Sequence, residues 1–294
     1  MHFRGKMEKA KVTTATLREM KTRGERIAML TAYDYPTARM VDEAGIDAIL
    51  VGDSLGNVIL GYRDTLAVTM DEIVHHTKAV ARGTKHALVI GDMPFLSYQA
   101  STEDAIRNAG RLIKEGRAEA VKVEGGRSVM DKVEAIVGAG IPVMGHLGLT
   151  PQWIHQFGGF KVRGKTEAAA RLIMEDAKAL EEAGVFSVVL ECMPWQLAKM
   201  ITERVEVPTI GIGAGPHCDG QVLVIHDLLG LSGEFAPKFV KKYAQLESVV
   251  MKALASFKDE VKTGKFPSFE HSYEMKEEEL KKLMKHIKAG KQSS

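Results

Sequence analysis

Cysteine is nearly missing from this chain. Cys192 and Cys218 are the two among 294 residues, which does not make a disulfide framework and suits a reducing compartment. A dominant sign of charge is missing as well, since 40 Lys and Arg offset 38 Asp and Glu to leave +2. No basic run is interleaved with aromatics, which argues against a nucleic-acid partner. No apolar run approaches the length of a bilayer span. The first 24 residues carry Arg4, Lys6, Lys9 and Lys11 but have no apolar stretch and include Glu8 and Glu19. A cleaved targeting peptide is therefore not expected, and the cytoplasm is. No linker or low-complexity segment divides the sequence.

What the chain does have is one sentence repeated. Residues 47–56 read DAILVGDSLG, 87–92 ALVIGD, 120–124 AVKVE and 186–191 FSVVLE. Each is a short apolar run closed by turn residues, the signature of a strand buried on both faces. Further strands are expected at 27–34, 142–146, 208–212 and 221–225, with Ala48–Val51 as the second of the eight. Helices alternate with them: a short one through Glu43, then about 69–81 with T-M-D-E at its start, one capped by Ser101 or Thr102, 128–140, 166–183, and a short one opened by Pro194. Thr16 and Glu19 are spaced as a capping box for a helix that plugs or flanks the fold. From Pro237 onward the pattern is helical, with Glu277–Lys281 and Glu278–Lys282 at ion-pair spacing. Eight strand–helix units without a composition break predict one (β/α)8 TIM barrel, an α/β fold of typically about 250 residues. The barrel is placed at about 25–262, between an N-terminal flank of 1–24 and a helical tail of 263–294.

Such barrels work at the C-terminal ends of their strands, and that is where the acids fall. Asp53, Asp92 and Glu124 are about one strand–helix unit apart, so they point at one spot from successive strands. Three carboxylates that close cannot all stay ionised unless a cation joins them. An all-oxygen set favours a hard ion such as Mg²⁺. The competing reading is that these acids cap helices or pair with lysines. Lys122 stands two residues before Glu124 and shares its strand face, where it can offset the acids or hold a ligand carboxylate. The alternative is that both side chains face outward. Glu191, ending the sixth strand, is placed as a general base, or else as a helix cap. His146 can orient a substrate or serve as a hydrogen-bonded structural residue. The GIGAG turn (211–215) reads as a tight connection, and Cys218 lacks a base suitably placed to make it a nucleophile.

Taken together, LTAYD (30–34), VGDSLG (51–56), GDMPF-SY (91–98), VKVEGG (121–126), VMGHLGLTPQ (143–152), VLE (189–191) and PTIGIGAGPHCDGQVLV (208–224) resemble the ketopantoate hydroxymethyltransferase family from about Lys11 to Ser272. The resemblance implies a Mg²⁺-dependent barrel with one ion per subunit. It also implies hydroxymethyl transfer from 5,10-methylenetetrahydrofolate to 3-methyl-2-oxobutanoate on the route to pantothenate. Position by position, it puts Asp53, Asp92 and Glu124 on the metal, Asp53, Ser54, Asp92 and Lys122 on the oxoacid, and Glu191 as proton acceptor. It further implies a homo-oligomer, a decamer built as a pentamer of dimers. Asn57, Ala67 and Trp153-Ile154 depart from the family pattern, the last pair in a loop that can alter substrate or folate access. The rival enzyme class, the phosphoenolpyruvate mutase and isocitrate lyase type, carries a Lys-Lys-Cys-Gly-His stretch that this sequence lacks. A non-catalytic metal-binding barrel is the remaining alternative.

Overall fold

The computed structural model describes residues 10–233 and 237–290; Arg4, Lys6, Glu8 and Lys9 of the N-terminal flank lie outside the described residues. Among the described residues, eight parallel strands close into a barrel in sequence order. They are β1 Ile27–Thr31, β2 Ala48–Val51, β3 Leu88–Asp92, β4 Ala120–Glu124, β5 Val143–Gly148, β6 Ser187–Glu191, β7 Thr209–Ile212 and β8 Gly220–Leu223, with β8 paired to β1. The helices are α1 Thr14–Thr22, α2 Tyr35–Glu43, α3 Leu55–Val58, α4 Met70–Gly83, α5 Thr102–Lys114, α6 Met130–Gly138, α7 Ile154–Phe157, α8 Glu167–Glu182, α9 Trp195–Thr202, α10 Ile225–Leu229, α11 Leu246–Lys262 and α12 Glu277–Gly290. The chain divides into two compact units between Ala244 and Gln245.

Period-two alternation sorts the strand residues. Val89, Val121, Val123, Val188 and Leu190 face outward into the layer shared with the helices. Leu88, Ile90, Ala120, Met144, Val189, Ile210 and Val222 face inward and fill the barrel. Extending the inward rows by one more alternate position reaches Asp92, Lys122 then Glu124, His146 and Glu191. The apolar interior therefore ends in a polar floor at the C-terminal side.

Helix α1 closes the other end. Leu17 and Met20 are buried in the interior cluster with Ile27, Met29 and Ala48, each such side chain contributing roughly 1.5–3 kcal/mol by leaving water. Lys21 Nζ donates to the carbonyls of Thr202, Val205 and Val207 at 3.0, 2.8 and 3.0 Å and pairs with Asp219 at 3.1 Å. The capping box at this helix is Thr13 with Thr16, not Thr16 with Glu19. With threonines at 13, 14 and 16, the helix begins as soon as a hydroxyl can cap it, one turn earlier than expected.

Other caps follow the sequence. Thr69 and Glu72 cap α4 reciprocally, and Ser101 caps α5. Asp34 is not a strand residue: β1 stops at Thr31, and the Asp34 carboxylate accepts from Thr37 N at 2.8 Å to start α2. Residues 237–245 are irregular rather than helical, and α11 begins only at Leu246. In the second unit Glu277 pairs with Lys281 at 2.9 Å, whereas Lys282 takes Glu279 at 2.7 Å in place of Glu278. No helix of the described residues is long and apolar enough to cross a membrane.

Candidate active site

A cavity of about 550 Å³ opens at the C-terminal ends of the strands, and Asp53, Ser54, Asp92, Lys122, Glu124, His146 and Glu191 all line it. Strand register builds the cluster. Asp92 lies beside Lys122 across β3 and β4, and Glu124 beside His146 across β4 and β5. Lys122 Nζ stands 2.7 Å from Asp92 Oδ1 and 3.4 Å from Glu124 Oε1, so the first is a close ion pair. Asp92 Oδ2 accepts from the Asp53 backbone N–H at 3.0 Å. Asp53 sits just past β2, where Gly52 keeps the turn slim: a Cβ there would lie 2.9 Å from Ser54 Oγ.

His146 is the centre of the arrangement. Its Nδ1 is 3.2 Å from Glu124 Oε1 and its Nε2 is 3.1 Å from Glu191 Oε2. The ring thus spans the two carboxylates that the sequence treats as separate. Burial and the Lys122 ammonium disfavour a charged ring, but Glu124 and Glu191 outweigh them and raise the His146 pKa to about 9; Nδ1 is hydrogen-bonded to Glu124, whereas Nε2 meets Glu191 as an ion-pair contact without hydrogen-bond geometry. The same balance splits the carboxylates. Burial, then repulsion from Asp92 and Glu124, pushes Asp53 well above the usual carboxylate range. Burial also raises Asp92 despite Lys122. For Glu124, burial is outweighed by Lys122 and His146, and its pKa falls. Lys122 is itself raised: burial opposes its charge, but three acids sustain it. Negative charge is in excess on the Asp53–Asp92 side, which is what a cation would correct.

Several residues of the site escape sequence reasoning. Gln152 is 3 % exposed and ties the cluster together. Its side-chain amide donates to Asp53 Oδ2 at 3.1 Å and the Met93 carbonyl at 2.9 Å, while its backbone N–H donates to Glu124 Oε2 at 3.0 Å. Its oxygen accepts from Tyr98 OH at 2.9 Å and Gln99 at 3.0 Å. The hydroxyl of Tyr98, fully buried, stands equally close, 2.9 Å, to the Glu124 carbonyl, so its single hydrogen is shared between the two acceptors. Tyr33 OH and Ser54 Oγ are hydrogen-bonded at 2.8 Å, and burial holds the Tyr33 phenol neutral. Cys192 lines the cavity, but burial and Glu191 push its thiol up to about 12, so it is no nucleophile. The only hint of Gln152 was the motif GHLGLTPQ. In the GIGAG turn, Gly213 and Gly215 have φ of +65° and +83°, and a Cβ at either would collide with Phe239 or Trp195, which fits the tight connection.

The sequence profile described as ketopantoate hydroxymethyltransferase matches residues 11–269. The chain belongs to the ketopantoate hydroxymethyltransferase family. It is 60% identical over 274 residues to the 3-methyl-2-oxobutanoate hydroxymethyltransferase of Syntrophomonas wolfei subsp. wolfei, covering 93% of this chain and 99% of that protein. It is 62% identical over 266 residues to the enzyme of that name from Moorella thermoacetica, covering 90% and 99%. This hydroxymethyltransferase is accordingly an enzyme that transfers a hydroxymethyl group. Among solved structures, phosphonopyruvate hydrolase aligns with a TM-score of 0.60 at 12% identity, covering 95% of this chain and 97% of that one. A 2,3-dimethylmalate lyase of the PEP mutase/isocitrate lyase superfamily aligns at 0.56 and 15%, covering 96% and 98%. At those identities the likeness is one of fold.

In this hydroxymethyltransferase the donor set suits a hard divalent ion. No three His, Cys, Asp or Glu side chains among the described residues form a ready-made metal cage. Magnesium-type sites need none, since such an ion keeps waters and takes one or two carboxylates with oxygens from the substrate. Asp53 Oδ1 accepts no hydrogen bond from any described residue, and Asp92 lies one backbone contact away. Both Glu124 oxygens already accept, one facing His146 and Lys122, the other facing Gln152.

Proposed function

We propose that the chain converts 3-methyl-2-oxobutanoate and 5,10-methylenetetrahydrofolate to 2-dehydropantoate, on the route to pantothenate and coenzyme A, with one Mg²⁺ per subunit. The observation that carries this is the grouping of a half-buried carboxylate, Glu191, with an excess-acid cluster in one cavity, joined through His146. Asp53 and Asp92 hold the ion, with Glu124 behind them. When bound, the ion supplies a Lewis acid for the carboxylate and keto oxygens of the oxoacid. Ser54 and Lys122 hold the oxoacid beside it, and the Lys122 ammonium balances the negative charge that grows on the keto oxygen. Glu191 accepts the C3 proton. His146, set between Glu124 and Glu191, keeps the Glu191 carboxylate in place at the cavity wall. The resulting carbon nucleophile bonds to the one-carbon unit of the folate, whose two carbon–nitrogen bonds break as water supplies the hydroxyl oxygen and tetrahydrofolate leaves. Cytoplasmic residence and assembly as a decamer of five dimers complete the reading, supported by family resemblance.

Proton NMR of 3-methyl-2-oxobutanoate in D₂O, with protein but without folate, tests it. Loss of the C3 proton signal is expected with Mg²⁺ and not with EDTA. Glu191→Gln is expected to slow that exchange by about 10²–10⁴-fold, the usual contribution of a general base, while oxoacid binding persists. Exchange at the wild-type rate in that variant would remove Glu191 from its role.

A further inference from the structure

The cavity is larger than the acids require. At roughly 30 Å³ per non-hydrogen atom, water's own share of liquid volume, the eight such atoms of the oxoacid occupy at most about 240 Å³ of the 550 Å³. The spare volume has a different character. The acids come from the ends of β2, β3, β4 and β6. In a closed ring of eight, β8 stands diametrically across from β4. On that far side the lining includes Ile212, Val222, Val224 and Phe239 beside Thr31, with a single carboxylate, Asp227.

Asp227 has no structural employment. It sits in the first turn of α10, yet that helix has no side-chain cap. Its backbone carbonyl accepts from the Gly230 N–H at 3.2 Å, and its charge acts on the Tyr33 phenol and the His226 ring, but its carboxylate makes no hydrogen bond or ion pair with any described residue. A half-buried carboxylate on an apolar wall needs a donor partner. At the open edge of the same cavity Lys161 and Lys238 are exposed and likewise make no ion pair with a described residue.

We propose that this half of the cavity is the subsite for the folate donor, with Asp227 receiving the paired N–H groups of the pterin ring. The inference rests on the function proposed above. The pterin's 2-amino group and adjacent ring N–H form a planar donor pair that a carboxylate accepts bidentately, as it accepts a guanidinium. Phe239 and the valines supply the apolar surface for the ring. Lys161 and Lys238 face the anionic glutamate tail, which remains at the solvent edge. The donor's one-carbon unit then lies between the far wall and the oxoacid held by Ser54 and Lys122.

Asp227→Asn, with Asp227→Ser as a second variant, tests the assignment in the full-length enzyme. Steady-state turnover gives the KM for methylenetetrahydrofolate, isothermal titration gives the Kd for tetrahydrofolate, and the donor-free C3–H exchange in D₂O is measured in parallel. KM and Kd are expected to rise about tenfold or more, the loss of a charged hydrogen bond, and by much more than exchange slows. The Lys161→Gln/Lys238→Gln double variant is expected to raise KM more for a triglutamyl donor than for a monoglutamyl one. Donor KM and Kd within twofold of wild type in both Asp227 variants overturns the subsite. So does a fall in exchange as large as the rise in KM, which would put Asp227 on the oxoacid. Wild-type enzyme that shows neither exchange nor turnover would instead overturn the proposed reaction.

Discussion

Replacing Gln152 with leucine keeps the side chain's bulk and removes its amide. Asp53 Oδ2 then loses the donor at 3.1 Å, the Met93 carbonyl loses one at 2.9 Å, and Tyr98 and Gln99 lose their shared acceptor. The backbone contact to Glu124 stays, because it comes from the Gln152 N–H. Hydrogen bonds to a charged group contribute about 1.5–3 kcal/mol, and a buried polar group left alone costs about 1–3 kcal/mol. Loss of such an outer partner weakens metal binding about 10–100-fold, equivalent to about 1.4–2.7 kcal/mol. The assay is an electron paramagnetic resonance titration of free Mn²⁺ into metal-stripped protein. Gln152→Leu should raise the Kd by that factor, and saturating metal should restore most of the folate-free exchange rate, since Glu191 and His146 are untouched. A variant that unfolds more easily yet binds Mn²⁺ within twofold of wild type would refute the argument, leaving Gln152 a packing residue only.

Lys122→Met leaves Asp92 and Glu124 buried beside no ammonium, and breaking a buried ion pair from one side costs about 3–5 kcal/mol; denaturant unfolding should show it, and Asp92→Asn in the same chain should recover part of it. Metal-free protein should lose stability as pH rises from 6.5 to 9. His146 binds its proton more tightly when folded, with a pKa of about 9 against 6.5, so its contribution is whole below 6.5 and gone above 9. At about 1.36 kcal/mol per pH unit the limit is about 3 kcal/mol. The raised Asp53 and Asp92 act in the same direction, Mg²⁺ should flatten the decline, and His146→Gln should remove most of it in thermal melts. Gly148→Ala should lower both stability, by about 1–3 kcal/mol, and the exchange rate. Its φ is +99°, and a Cβ would stand 2.1 Å from the Glu191 carbonyl oxygen. A melt and an exchange rate equal to wild type would show that the turn relaxes freely.

The strands were legible because burial on both faces leaves long Val/Ile/Leu runs, and the acids because each closes such a run. Their neighbours were not. Which residue of β4 stands beside Asp92 depends on barrel register, and only register reveals the Asp92–Lys122 pair. His146 read as an isolated strand-end histidine because its partners, Glu124 and Glu191, arrive from the strands on either side. Gln152 lies in a short 3-10 turn after β5, 28 and 99 positions from the carboxylates it holds, and no local pattern marks a glutamine for that task. The start of α1 was misplaced for a simpler reason: threonines at 13, 14 and 16 offer rival caps, and buried Leu17 and Met20 decide between them.

Helix α1 also bears on how the chain reaches its fold. It is made early in synthesis, yet Arg18 bonds to the Val185 carbonyl, 167 residues on, and Lys21 to Val207, 186 residues on. Its ion-pair partner Asp219 comes later still. The plug cannot be seated until β7 and the turn into β8 exist, so a helix that precedes every strand of the barrel is among the last secured. Until then the open N-terminal end of the barrel exposes Ile27, Met29 and Ala48. A nascent or truncated chain that stops short of β8 should therefore present that surface to chaperones, however complete its earlier strands.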